Sequence, residues 1–297
     1  MKEKKTGSII SPGFILSAAI VFIVVFAALI GYYILPYDAN EVDLGNTMAK
    51  ASAAHIFGTD YMGRDVLCRL VTGARTTLLN AVLVVLFSVV VGVPLGLMCG
   101  YYGGILDEII MRIWDVILSI PVILLSVILV GALGRSEKNA IIAIGIVFVP
   151  MISKLAKSIM LTEKTKTYVE AAKVMGYSDM RIIFLQILPN CVATLMAEVT
   201  LDIGNAMSSL AALSFIGLGV QPPLADWGVM LNENIEMIYK APLLALSPGI
   251  AIVMTVAALT VLSDSILVYI DPLQRRLPSI QKYKERMNKR IGGGRHE

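Results

Sequence analysis

Few residues in this chain have the types and the spacing that bond-making chemistry needs. His55 and His296 are the only histidines, and Cys68, Cys99 and Cys191 are odd in number and far apart. No metal-ligand spacing or disulfide framework follows from them. The chain has no HExxH string and no clustered nucleophile and base, so an intramembrane enzyme is not expected. What remains are acids and amides set within apolar runs. Asp202, Asn205 and Ser209 recur at helical spacing in one such run, beside Glu198 and Ser208. Ionisable groups inside membrane spans are expensive and face a cavity or a partner, so this stripe fits a polar path for a charged solute. The competing reading puts Glu198 and Asp202 at a membrane interface. Glu108, Arg112 and Asp115 share one helical face and can satisfy one another. Asp115, Asp202 and Asp264 together keep a proton-coupled carrier open.

Such residues need membrane-spanning elements to hold them, and the composition supplies these. Of 297 residues, 57% are hydrophobic and 16% charged, well below the roughly 25% charged of soluble domains. That excess cannot fit in one soluble core, and an all-α polytopic membrane protein is expected. Six transmembrane helices are predicted over residues 14–35, 78–101, 109–133, 140–161, 192–218 and 243–270. The first is about 22 uncharged residues, long enough to cross a ~30 Å hydrocarbon core, and reads as a retained anchor instead of a cleaved signal peptide. Pro121 and Pro150 interrupt the third and fourth spans. Gly92, Gly96 and Gly100 recur every four residues, a face on which another helix can pack closely. A short amphipathic helix is expected over residues 229–238. The organisation is then 1–12, an N-terminal segment; 13–36, the first helix; 37–77, an extracytoplasmic segment; 78–272, a core of five helices with a polar loop at 162–191; and 273–297, a basic tail.

Lys/Arg bias sets the expected orientation. Both ends are basic, and so is the fourth connection, with Lys154, Lys157, Lys164, Lys166, Lys173 and Arg181. All three are placed in the cytoplasm, which leaves residues 37–77 outside. Within the fourth connection lies YVEAAKVMGYSDMRIIFLQILPN, residues 168–190. It reads as a short helix, a break at Gly176 that a glycine permits, a second short helix and a stop at Leu188-Pro189. Tyr168, Ala172 and Met175 share one face, Ala171 and Ala172 admit a close partner surface, and Glu170 offers a carboxylate. Periodicity alone leaves two readings open, an amphipathic loop on lipid headgroups or a docking site for a protein.

The exact string resembles the EAA motif of ABC importer membrane subunits: Glu170-Ala171-Ala172, Gly176 four positions on, then Leu188-Pro189. Other strings add to the likeness: GTDYMGRDVLCRLVTGARTTL at 58–78, GYYGG at 100–104, RIWDVILSIP at 112–121, LSFIGLGVQPP at 213–223 followed by Trp227-Gly228, APLLALSPG at 241–249, and Asp271-Pro272. Together they resemble the C-type permease of dipeptide, oligopeptide and nickel importers, from about residue 58 to 272. The sequence departs from the usual pattern at Leu185-Gln186, at Phe148-Val149 and over residues 260–265.

The resemblance implies a type I ABC importer-like fold whose cytoplasmic coupling helix docks in a groove of an ATPase. The docking residues would be Tyr168, Glu170, Ala171, Ala172, Gly176, Leu188 and Pro189. It implies a non-catalytic subunit of a prokaryotic cytoplasmic membrane, both termini inside. Partners would be a second homologous permease, two ATP-binding subunits carrying ATP and Mg, an extracytoplasmic substrate-binding protein and the lipid bilayer; nucleic acid has no place. This chain has no GxxxxGK[ST] phosphate loop, so ATP must be handled on those partners and no cofactor is expected here. Asp60, Arg64, Asp65 and Trp227 are the candidate contacts for the binding protein, with an interfacial anchor the plainer reading of Trp227. The cargo implied is di- or oligopeptide, with nickel or a metal–opine chelate as the alternative.

Overall fold

The computed structural model describes residues 12–270. The lysines near the start, Asp271-Pro272 and the basic tail expected at 273–297 lie outside the described residues. Ten α-helices carry the fold in the order α1 (Pro12–Ile34), α2 (Val66–Tyr102), α3 (Gly104–Leu118), α4 (Val122–Leu133), α5 (Glu137–Glu163), α6 (Thr167–Val174), α7 (Asp179–Arg181), α8 (Leu188–Phe215), α9 (Trp227–Asn234) and α10 (Pro242–Ile270). A π-helical segment, Ile182–Ile187, joins α7 to α8 without a break. Five of the resulting rods are long and apolar enough to cross a membrane, and the sixth apolar run is the pair α3–α4.

That pair departs from expectation. The sequence predicts one span over 109–133 interrupted at Pro121. The structure has two helices bent by 93°, and α3 starts at Gly104. Pro121 lacks an N–H and pushes the residue before it out of the helical region, so the chain turns at 119–121. The polar side of α3 is clamped to one stretch of α5: Asp107 pairs with Lys157 at 2.6 Å, Asp115 with Lys154 at 2.6 Å, and Trp114 Nε1 donates to Ser153 Oγ at 3.0 Å. Asp115 is thus satisfied across helices, not by Arg112 on its own face. Ile105, Ile109 and Val116 are left exposed on the other side.

The most extensive helix contact is that of α2 with α5. A Cβ placed on Gly92 would lie 2.9 Å from Val149 O, one on Gly96 2.8 Å from Ala156 Cβ, and one on Gly100 2.7 Å from Met160 Cβ. Nothing larger than hydrogen fits along this stripe, which lets the two backbones approach and gain dispersion contacts where lipid offers no hydrophobic drive. α2 also starts twelve residues earlier than the span expected at 78, because Asp65 caps it by accepting from Cys68 N at 2.8 Å. Two buried clusters follow. One joins α1, through Ala28, with α2, α4, α5, α8 and α9 in the half of the bundle near residue 66. The other joins α2, α5, α6, the π segment and the start of α8 at the opposite end.

Replacing Gly96 by Val forces the Ser153–Ala156 turn of α5 outward. The expected outcome is a loss of about 1–3 kcal/mol, read as earlier thermal unfolding of the detergent-solubilised protein, whereas Gly131→Val, which faces open space, leaves it unchanged.

Candidate functional site

The polar loop folds as a knob fastened to the end of the bundle. Val169 and Ala172 of α6 are buried with Leu97, Met160, Ile182 and Ile183. α6 ends in a closed C-terminal turn: Gly176 N bonds Lys173 O at 3.0 Å and Tyr177 N bonds Ala172 O at 3.1 Å, with Gly176 at φ +79°. That left-handed conformation is open to glycine at little cost and strains any other L residue. Polar ties complete the attachment. Tyr101 Oη donates to Asp179 Oδ1 at 2.7 Å, Lys164 Nζ to Gly100 O at 2.7 Å, and Tyr168 Oη to Glu163 Oε2 at 2.9 Å. Burial, and then the Glu163 carboxylate, push the Tyr168 phenol up to about 12, so it remains a neutral donor at any physiological pH.

This geometry divides the motif into two faces and corrects the expected one. Ala172 is 2% exposed and Tyr168 half-buried, so both belong to the inner face. Met175, expected beside them, is 63% exposed, and Val174 is 88% exposed. The outer face is Glu170, Ala171, Val174 and Met175, continued by Met180 across the turn. A close approach at Ala171 is available; at Ala172 it is not.

The stop at Leu188-Pro189 is corrected too. The helix passes through it, because the π segment supplies the wider spacing, with Leu188 N bonding Ile183 O. A widened turn releases backbone groups that a proline would otherwise leave clashing or unmatched. The Asn190 side chain donates to Gln186 O at 2.7 Å, covering a carbonyl beside the proline. Pro189 is exposed and Leu188 half-buried.

At the opposite end, Asp60, Arg64, Asp65 and Trp227 are brought together, but inside the chain. Arg64 is 1% exposed. Its Nε bonds Asp60 Oδ2 at 2.7 Å, and its other nitrogens reach Glu233, with Nη2–Oε2 at 3.0 Å. Arg69 Nη2 meets the same Glu233 oxygen at 2.7 Å. Burial works against the Arg64 charge, but Asp60 and Glu233 outweigh it and hold the guanidinium above its usual value. Asp65 caps α2 and accepts from His55 at 2.8 Å. Trp227, 2% exposed, donates Nε1–H to Leu70 O at 2.8 Å. It is neither an interfacial anchor nor a surface for another protein, and the three charged residues are likewise withdrawn as side-chain contacts for one.

The expected polar stripe is split. Asp202 is buried, while Asn205 is exposed and Ser209 half-buried, bonding back to Asn205 O at 2.9 Å. Among the described residues no three His, Cys, Asp or Glu side chains gather to hold a metal.

With that architecture in view, comparison with known proteins is decisive. Residues 92–276 match the model of the binding-protein-dependent transport system inner membrane component. The chain belongs to that family. The glutathione transport system permease protein GsiD of Pectobacterium atrosepticum is 38% identical over 253 residues, covering 85% of this chain and 84% of that one. The dipeptide transport system permease protein DppC of Haemophilus influenzae is 36% identical over 266 residues, 88% and 90% of the two chains. DppC of Alkalihalophilus pseudofirmus is 37% identical over 271 residues, 91% and 88%. In fold, the chain is similar to an inward-facing form of the MetNI methionine ABC transporter, with TM-score 0.57 and 21% identity over 68% of this chain and 96% of that one.

Within this permease architecture, sequence reasoning missed Arg69, Glu233, Thr77 and Asp226. Thr77 Oγ1 donates to Asp226 Oδ2 at 2.6 Å, and Asp226 caps α9 through Gly228 N and Val229 N. Burial pushes the Asp226 carboxyl up, against the pull of those donors. Nothing in the spacing of Arg69 points to a partner 164 residues away.

Removing Glu233 leaves two buried guanidinium groups facing one carboxylate. Glu233→Ala is expected to destabilise the fold by about 3–5 kcal/mol, measured as a fall in the folded fraction after purification. Glu236→Ala, on the following turn, is expected to be neutral.

Proposed function

We propose that this chain is one permease subunit of an ATP-driven peptide importer in a prokaryotic cytoplasmic membrane, and that the outer face of α6 and the turn after it seat on an ATP-hydrolysing subunit. The observation that carries the reading is the exposed ridge of Val174 and Met175 beside Glu170, on a loop whose other face is fastened to α2, α5 and α8. A push on the ridge is delivered to spans, not absorbed by a hinge. Two ATPases, with ATP and Mg on them alone, would close and open beneath a pair of homologous permeases. The nucleotide state then shifts the population between inward- and outward-open arrangements, by as much as it binds them differently.

The basic fourth connection supports the cytoplasmic side for the knob, which places residues 36–65 and α9 outside, toward a substrate-binding protein. The buried ion cluster shapes that outer surface instead of contacting the binding protein itself. Relatives named for dipeptide and glutathione transport support a peptide cargo; nickel and metal chelates are not favoured. For Asp202, Asn205 and Ser209 only Asn205 and the edge of Ser209 are offered to a path, so Asn205 is the residue we assign to it.

The test is uptake in vesicles carrying the full complex. Glu170→Lys and Gly176→Pro are expected to leave membrane insertion and ATP hydrolysis in place while uptake falls at least about fivefold, the scale of a lost coupling energy. Wild-type transport in both variants contradicts the docking role. Uptake driven by a proton gradient without ATP contradicts the importer reading altogether.

A further inference from the structure

α1 touches the bundle through α2 and α10, and it leaves a cleft. Between α1, α2, α8 and α10 lies a cavity of about 350 Å³, with Val24, Leu29, Val82, Ile203 and Leu259 among its walls. Two threonines in the wall have spent their hydroxyls on their own helices, Thr200 on Met196 O at 2.8 Å and Thr255 on Ala251 O at 2.7 Å. Water needs two to four polar partners to stay in such a space, and the walls below its rim offer only the acceptor sides of these two hydroxyls. One charged side chain borders it: Arg75.

The position of Arg75 along α2 is informative. α2 has 37 residues, about 55 Å of helix against a ~30 Å hydrocarbon core. Its first turns are polar, with Arg69, Thr72, Arg75, Thr76 and Thr77, and no charged residue follows until Asp107. Arg75 is thus the charge of α2 nearest the hydrocarbon layer, at a level from which its long side chain can reach the headgroups, and the cleft runs from there toward Val82, into the layer. A guanidinium at headgroup level above a dry apolar slot has the charge and shape of a phospholipid reversed. Its five donors let it keep a partner within the chain and still bind a phosphate oxygen.

We propose that this cleft holds a phospholipid of the leaflet nearest residues 36–65, its phosphodiester on Arg75 and one acyl chain between α1, α2, α8 and α10. The lipid completes the packing of α1, which the protein alone leaves open.

Native mass spectrometry of the assembled complex after delipidation tests this, with phosphatidylglycerol and diacylglycerol as probes. The wild type is expected to retain phosphatidylglycerol and not diacylglycerol. Arg75→Gln should lower retention about tenfold, the effect of losing a hydrogen bond to a charged group, and Arg75→Lys should restore part of it. Val82→Phe fills the slot from a lipid-facing position and is expected to displace the lipid with Arg75 intact. Equal retention of diacylglycerol, equal retention by Arg75→Gln and Val82→Phe, or a complex with no lipid because a partner helix covers the cleft would each overturn the proposal. ATP-driven uptake by the same preparations is read separately, so failure of this site is distinguishable from failure of the importer reading.

Discussion

Where Gly92, Gly96 and Gly100 press on α5, the two helices meet with no α2 side chain between them. Everything at that end of the molecule hangs on this approach. It brings Leu97 beside Met160, and the two make a floor on which Val169, Ala172, Ile182 and Ile183 are buried. The knob is therefore a continuation of the α2–α5 pair, and α8 grows out of it through the π segment. A packed interior has few ways to deform gradually, so displacement of the knob carries three spans with it. That is the property a coupling element needs.

The far end of α2 is secured by different means. Asp60, Arg64, Arg69 and Glu233 form a buried, charge-balanced set, and Asp226 ties α9 back to Thr77. Breaking either tie strands a buried charge or acceptor, which is more costly than the tie is worth by itself. α2 thus acts as a strut with a close-packed foot and an ionic head. The two ends differ in what they offer: one exposes an apolar ridge, which the proposed coupling would set against a partner, and the other holds loops from distant parts of the chain in one arrangement.

Much of this was legible before the fold was known. Apolar runs mark the crossings, four-residue glycine spacing marks the close-packing face of α2 without naming α5, and Gly176 marks the turn. The misreadings share a cause, which is that each depends on what lies opposite. Pro189 looked like a stop because nothing in the sequence announces a π segment. Ala172 looked available because its spacing from Tyr168 says they share a face, not which way that face points. Asp115 found a lysine on α5 in place of its helical neighbour, and the right-angle turn at 119–121 follows from where α3 can be clamped. Asp60, Arg64, Asp65 and Trp227 stand out in the sequence, and a surface role is what their types suggest there. The same types suit burial equally, and only the partners across the fold decide: Glu233 for Arg64, His55 and the start of α2 for Asp65, Leu70 O for Trp227.

The claim that organises this account is that the outer face of the knob meets a protein and not the lipid surface. Thiol accessibility measures it directly. With the buried Cys68, Cys99 and Cys191 replaced by Ala, a single Met175→Cys is labelled with a water-soluble maleimide in membranes, with and without the ATPase subunits. The expected result is rapid labelling of the permeases alone and protection once the ATPases are bound. Equal labelling in both preparations, or protection already present without the ATPases, contradicts it.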